Sequence, residues 1–177
     1  MTLKIAQLGQ SVLRKRADEI DQRAILSEEF QQFINEMLTT ATDSRGVGLA
    51  GPQVFRSQRI FVAHVLPVPS QEEQFEWEVF INPKLTPTSK KIKYRWEGCL
   101  SFQELMVMVP RFESVTVEYT NRAGESKTLE LTDFPARVVQ HENDHLDGVL
   151  TIDRAPATKY IVKTSEMEAV REELGGN

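Results

Sequence analysis

The sequence predicts an α+β fold, with antiparallel β-sheets arranged around a central helix and further helices toward the N- and C-termini. Three observations carry this. Several short strand-like runs are separated by turn signals. Two strongly patterned helices lie about ninety residues apart. Nowhere do strands and helices alternate in the βαβ manner of a parallel sheet. At 177 residues the chain suits one domain, 1–177, with no repeat, low-complexity tract or linker.

The first helix is expected from Ser27 to Ala41. Ser27 suits the N-cap, and Glu28 and Glu29 suit the first turn. Phe30, Phe33, Ile34, Met37, Leu38 and Ala41 then fall on one face. GVGLAGPQ, 46–53, reads as a tight loop whose glycines leave its backbone open to close approach. Strands are expected at Arg59–Leu66, Glu78–Asn82, Lys91–Trp96, Ser114–Thr120 and Ser126–Leu131. Pro83 and Pro87 mark turns, and 67–76 reads as a polar surface loop. In Lys91–Trp96, Lys91, Lys93 and Arg95 alternate with Ile92 and Tyr94, as on the solvent face of a strand rather than a phosphate site. Asn121–Gly124 makes a hairpin turn, and Val115, Val117 and Tyr119 share one face. The second helix spans 133–148, with Asp133 as cap, Pro135 in the first turn and Gly148 at its end. A third is expected from Pro156 to Leu174, with Tyr160, Met167, Val170 and Leu174 as its apolar stripe.

Composition excludes several functions. A single cysteine rules out an internal disulfide framework and suits a reducing, cytoplasmic setting. The N-terminus lacks the apolar core of a signal peptide, and no apolar run is long enough to span a membrane. A net charge of −5 argues against nucleic acid as the main partner.

The chemistry centres on HENDH, 141–145. On a helix, His141 and His145 lie one turn apart on one side, where two imidazoles can share a divalent metal. Glu142 falls in the same arc and can shuttle a proton, while a metal would acidify a water there. A third ligand is needed. Cys99, in WEGCLSFQ, is one candidate; Glu166 and Glu168, past the second histidine, are others. Taken alone, Cys99 also reads as an inert buried thiol or a nucleophile.

GVGLAGPQ (46–53), EGCLS (97–101) and QHENDHLDG (140–148), in this order and spacing, resemble the three motifs of the peptide deformylase family. The likeness extends to IAQLGQSVLRKRADEI, VPRFESVTVEY, FPARVVQHE and IDR, and covers the chain to about residue 154. The resemblance implies hydrolysis of the N-formyl group from formyl-methionine at the start of new polypeptides, releasing formate. It implies a metal on Cys99, His141 and His145, usually ferrous iron, with zinc, nickel or cobalt able to replace it. Glu142 would be the general acid/base. The Gln53 amide and the Leu100 N–H would stabilise the oxyanion. Val47, Gly48 and Gly98 would bind the peptide backbone as an added strand does, and Phe134 and Val138 would line the methionine pocket. Implied partners are formyl-methionyl nascent peptides and, through the C-terminal helix of some relatives, the ribosome near its tunnel exit. Lys159, Lys163 and Arg171 would serve there, although a solvated helix face explains them too.

The chain departs from the family pattern at three places. Gly51 replaces the second alanine of the first motif, Phe55 stands where glycine is usual, and Gln103-Glu104 replace Pro-Gly. Each bears on the cleft rather than on the ligands. Two rival functions are a metallopeptidase using Glu166 or Glu168, and a catalytically silent peptide-binding relative.

Overall fold

A computed structural model defines residues 1–67 and 75–173. It contains helices α1 (Glu28–Asp43), α2 (Asp133–Leu146) and α3 (Met167–Glu173). Its strands are β1 (Gly48–Ala50), β2 (Ile60–Pro67), β3 (Phe75–Pro87), β4 (Ile92–Glu97), β5 (Leu105–Phe112), β6 (Ser114–Thr120), β7 (Ser126–Thr132) and β8 (Ile161–Lys163). Among the described residues, the strands pair antiparallel in a five-stranded sheet ordered β1-β2-β3-β6-β7 and a three-stranded sheet ordered β4-β5-β8.

Helix α2 lies between the sheets, packed on β1 and β2 and touching β5. Strand β2 shows why its sequence is almost continuously apolar. Ile60 and Val62 face the side covered by Phe30, Phe33, Ile34 and Met37 of α1. Phe61, Ala63 and Val65 face the side covered by Ala136, Val138, Val139 and Leu146 of α2. A strand buried on both faces loses the polar half of its alternation. Phe61, Phe80 and Tyr119 stack across β2, β3 and β6, with centroid spacings of 4.7 and 4.4 Å. A third cluster, with Leu13, Phe102, Val107, Val109 and Leu150, seats Cys99 beneath the small sheet.

The helix reading holds for α1, whose Ser27 Oγ accepts from Phe30 N–H at 3.3 Å. Gly148, at φ +72, ends α2 as expected. Five expectations are corrected. Within the expected C-terminal helix, 161–163 form β8 against β5 and, among the described residues, 167–173 are α-helical; Leu174 of the expected stripe lies outside the described residues. Asp133 does not cap α2. It takes φ +53, and its carboxylate accepts from Lys93 Nζ at 2.5 Å instead. Pro83 does not end its strand. A register shift between Ile81 and Lys84 absorbs it, with Asn82 at φ +49 gripping the Ile20 backbone through both amide atoms. At β4 the expected alternation fails. Lys91 and Arg95 are exposed as expected, but so are Ile92 and Tyr94, whereas Lys93 is partly covered and paired with Glu113 and Asp133. Of the expected loop 67–76, Pro67 ends β2 and Phe75 and Glu76 open β3. The remainder, 68–74, lies outside the described residues.

Candidate active site

Helix α2 sets His141 and His145 one turn apart, their ring centroids 5.1 Å from each other. Cys99 reaches them from the turn that follows β4. Its Sγ lies 3.4 Å from His145 Nε2, and one donor atom from each of the three residues falls within 4.8 Å of the others. A thiol and two imidazoles at this spacing suit a borderline-soft divalent cation such as Fe2+, Zn2+, Ni2+ or Co2+. Glu166 and Glu168 are exposed residues of the C-terminal segment and do not join this cluster. The metallopeptidase reading loses its third ligand.

Behind the candidate ligands lies a buried charge network that the motifs did not announce. Glu97 Oε2 meets His141 Nδ1 at 3.0 Å, which leaves Nε2 for the cation side. Arg111 forks onto both Glu97 oxygens at 3.1 and 3.0 Å, and Arg137 adds a contact of 2.6 Å. Arg111 continues to Asp144 at 2.5 Å, and Arg154 closes the chain on Asp144 at 2.7 Å. Burial opposes ionisation of Glu97, but the His141 hydrogen bond and the Arg111 charge hold its carboxyl well below the usual range. Burial alone would depress His141; hydrogen bonds to Cys99 and Glu97 nevertheless raise it well above its ordinary value. The same negative surroundings that favour a proton there favour a divalent cation. Burial drives His145 the other way, to the neutral form that a metal requires. Arg111 could have been found in the sequence. In LMVMVPRF it shares its parity with Val107 and Val109, which are core residues, so it must bury a charge and needs a partner.

Glu142 is buried beside the ligands, with Oε2 lacking any hydrogen-bond partner among the described residues. A methyl group at position 48 would overlap its carboxylate, so this close approach requires Gly48. Burial pushes Glu142 up to about 7, a value suited to both accepting and giving a proton near neutrality. Gln53 Oε1 accepts from Ala50 N–H at 2.9 Å, which aims its NH2 at Cys99 Sγ, 3.6 Å away, and at Ser101 Oγ, 3.2 Å away. The Leu100 N–H makes no hydrogen bond among the described residues.

These groups floor a cleft of about 520 Å³. Val47, Gly48, Gly98, Phe134 and Val138 all line it. Strand β1 ends the large sheet and β4 ends the small one, so the cleft runs between two open strand edges. The Val47 carbonyl is already taken by His64 N–H at 2.8 Å. Antiparallel alternation then turns the N–H and C=O of Gly48, the partner of Ala63 in register, toward the open edge. Residues 2–160 match the polypeptide deformylase family. The chain belongs to that family.

A peptide deformylase 2 of Nostoc sp. is 40% identical over 168 residues, covering 94% of this chain and 93% of that protein. The crystal structure of the Thermotoga maritima peptide deformylase matches with a TM-score of 0.79 and 38% identity, covering 89% of this chain and 99% of that one. A class I type b peptide deformylase from Acinetobacter baumannii, solved with Met-Ala-Ser bound, matches with a TM-score of 0.81 and 33% identity, over 87% and 98% of the two chains. As a deformylase the chain is a hydrolase that removes N-formyl groups from new polypeptides. Membership also places its departures. Gly51 is required here, because a Cβ would lie 2.8 Å from the carbonyl oxygens of Arg56 and Gln58. Phe55 adopts φ +62, the left-handed region that the usual glycine enters freely. Phe102 is buried against Cys99, Gln103 lines the cleft, and the apolar run after Glu104 forms β5.

Proposed function

We propose that Cys99, His141 and His145 hold one divalent cation, ferrous iron, and that Glu142 is the general acid/base for hydrolysis of an N-terminal formyl-methionine. One observation carries this reading: a buried carboxylate oxygen without a partner, in the same cleft as three ligand-type atoms within 4.8 Å. The cation supplies a Lewis acid that makes water nucleophilic near neutral pH. Glu142 takes a proton from the attacking water and delivers one to the leaving amine, so that formamide and water give formate and a free N-terminus. The Gln53 NH2 and Leu100 N–H donate to the carbonyl oxygen as its charge grows, each worth roughly 3 kcal/mol when aimed at the transition state. Gly48 and Gly98 bind the peptide backbone, and Val138 with Phe134 receives the methionine side chain.

The choice of iron rests on the family resemblance, because the donor set itself suits several metals. The Met-Ala-Ser complex of the Acinetobacter relative supports a peptide running along the same cleft. The exposed Lys159, Lys163 and Arg171 of the C-terminal segment support docking near the ribosomal tunnel exit in the cytoplasm, where formylated chains emerge. No helix among the described residues is long and apolar enough to cross a membrane. The test is formate release from formyl-Met-Ala-Ser by protein prepared anaerobically with Fe2+. Rapid turnover that disappears in Glu142→Ala is expected. No formate from folded, metal-loaded protein would reject the reading.

A further inference from the structure

The cleft between the two strand edges has a direction. Residue numbers rise from Arg45 to Gly48 along one wall and from Arg95 to Gly98 along the other, in both cases toward the ligands. A peptide whose formyl end sits at the ligands must therefore run antiparallel to both walls as it leaves. Arg45 and Arg95 each stand three positions outward from the glycine on their own wall. Along β4 three extended residues put Arg95 about 10 Å out from Gly98, whereas Arg45 stands at the mouth in the turn between α1 and β1, at φ +55. With methionine between Gly48 and Gly98, the third and fourth peptide residues pass Arg95 on β4, and Arg45 lines the same cleft.

Both arginines line this cleft and both are exposed. Neither has a carboxylate within 4 Å among the described residues. The other charged groups of the cleft are committed: Glu97 to Arg111, Arg137 and His141, Arg137 to Glu97, and Glu142 to the floor beside Gly48. Ser44 and Gln103 complete the rim with neutral side chains. In a chain of net charge −5 the outer cleft is thus positive, and nothing within it answers that charge.

We infer that Arg45 and Arg95 are specificity-determining residues that favour formyl-methionyl peptides with acidic side chains at the third or fourth position. The inference rests on the proposed function and deepens it. A guanidinium pairs with a carboxylate through two parallel hydrogen bonds, and an extended strand presents successive side chains to alternate sides, so each arginine can take one of two neighbouring acids. The pairs form in a half-open cleft, so the gain is modest and salt-sensitive.

The test measures kcat/KM for formate release from formyl-Met-Ala-X-X peptides with X as Glu, Gln or Lys, using the metal-loaded enzyme. Glu is expected to exceed Gln by roughly three- to tenfold, with Lys below Gln. The Glu-to-Gln ratio should fall toward one in 1 M salt and in an Arg45→Gln/Arg95→Gln double variant. Equal values for Glu and Gln peptides in the unaltered enzyme overturn the inference while leaving the deformylase reading intact. So does a ratio that survives in the double variant. No formate from any of the three peptides overturns the function on which the inference rests, and the inference with it.

Discussion

Four arginines line or adjoin the cleft, and they divide into two pairs. Arg111 and Arg137 are buried, and their charged ends are enclosed by Glu97, Asp144 and backbone carbonyls. Arg45 and Arg95 are exposed at the mouth without a carboxylate partner among the described residues. The side chain is the same and the consequence is opposite. An arginine whose charge is enclosed by buried carboxylates belongs to the architecture, and its loss leaves those carboxylates without compensation. An arginine whose donors face open solvent is available to a ligand, and its loss costs the fold little.

Substitutions from the inside outward test this division. The largest effect is expected at the innermost charge. Glu142→Gln should lower kcat for formate release by about 10²- to 10⁴-fold while metal content, read by elemental analysis, stays at one per chain. A small change in kcat would remove Glu142 from the chemistry. Next, Arg111→Met should cost about 3–5 kcal/mol in denaturant unfolding, whereas Arg95→Met should cost less than about 0.5 kcal/mol. Equal costs would erase the distinction between the pairs. Glu97→Gln keeps the shape but loses the charge behind His141. Metal affinity, followed by competition with a chelator, should fall roughly 10- to 100-fold. Unchanged affinity would mean that His141 is oriented by packing alone. The smallest effect is expected at the exposed Phe55. Phe55→Gly should relieve its left-handed backbone and raise stability by about 0.5 kcal/mol. A net loss would show that the ring, which lies 5.9 Å from Lys4 Nζ, contributes more than the strain costs.

The histidine pair and the helix that carries it were legible because their spacing is local. His141, Glu142 and His145 need only a helix to come together. Cys99 was one of three third-ligand candidates from local pattern, and the three-motif likeness favoured it, because its contact with His145 crosses 46 residues of chain. Strand β5 was not expected, its apolar run being left unassigned. Strands β1 and β8 were missed for a different reason. Each is three residues long and draws its pairing from a distant neighbour, Ala63 opposite Gly48 and Val107 opposite Ile161, so no periodicity can develop within it. In β4, charge was taken as a sign of solvent. Lys93 instead turns toward carboxylates on β7's exit and the β5–β6 turn, at Asp133 and Glu113, which no reading of residues 91–96 alone could supply.

The cleft's two walls are strand edges of different sheets, and that sets a clock on the substrate. Only backbone that is still extended, with its own hydrogen-bonding groups uncommitted, can lie between them. A terminus that has already coiled into a helix or joined a sheet offers neither the length nor the free groups. In the proposed binding mode, deformylation by this chain competes with the folding of its substrate. It belongs to the interval in which a new polypeptide has emerged far enough to reach the cleft but has not yet engaged its first few residues in structure of its own.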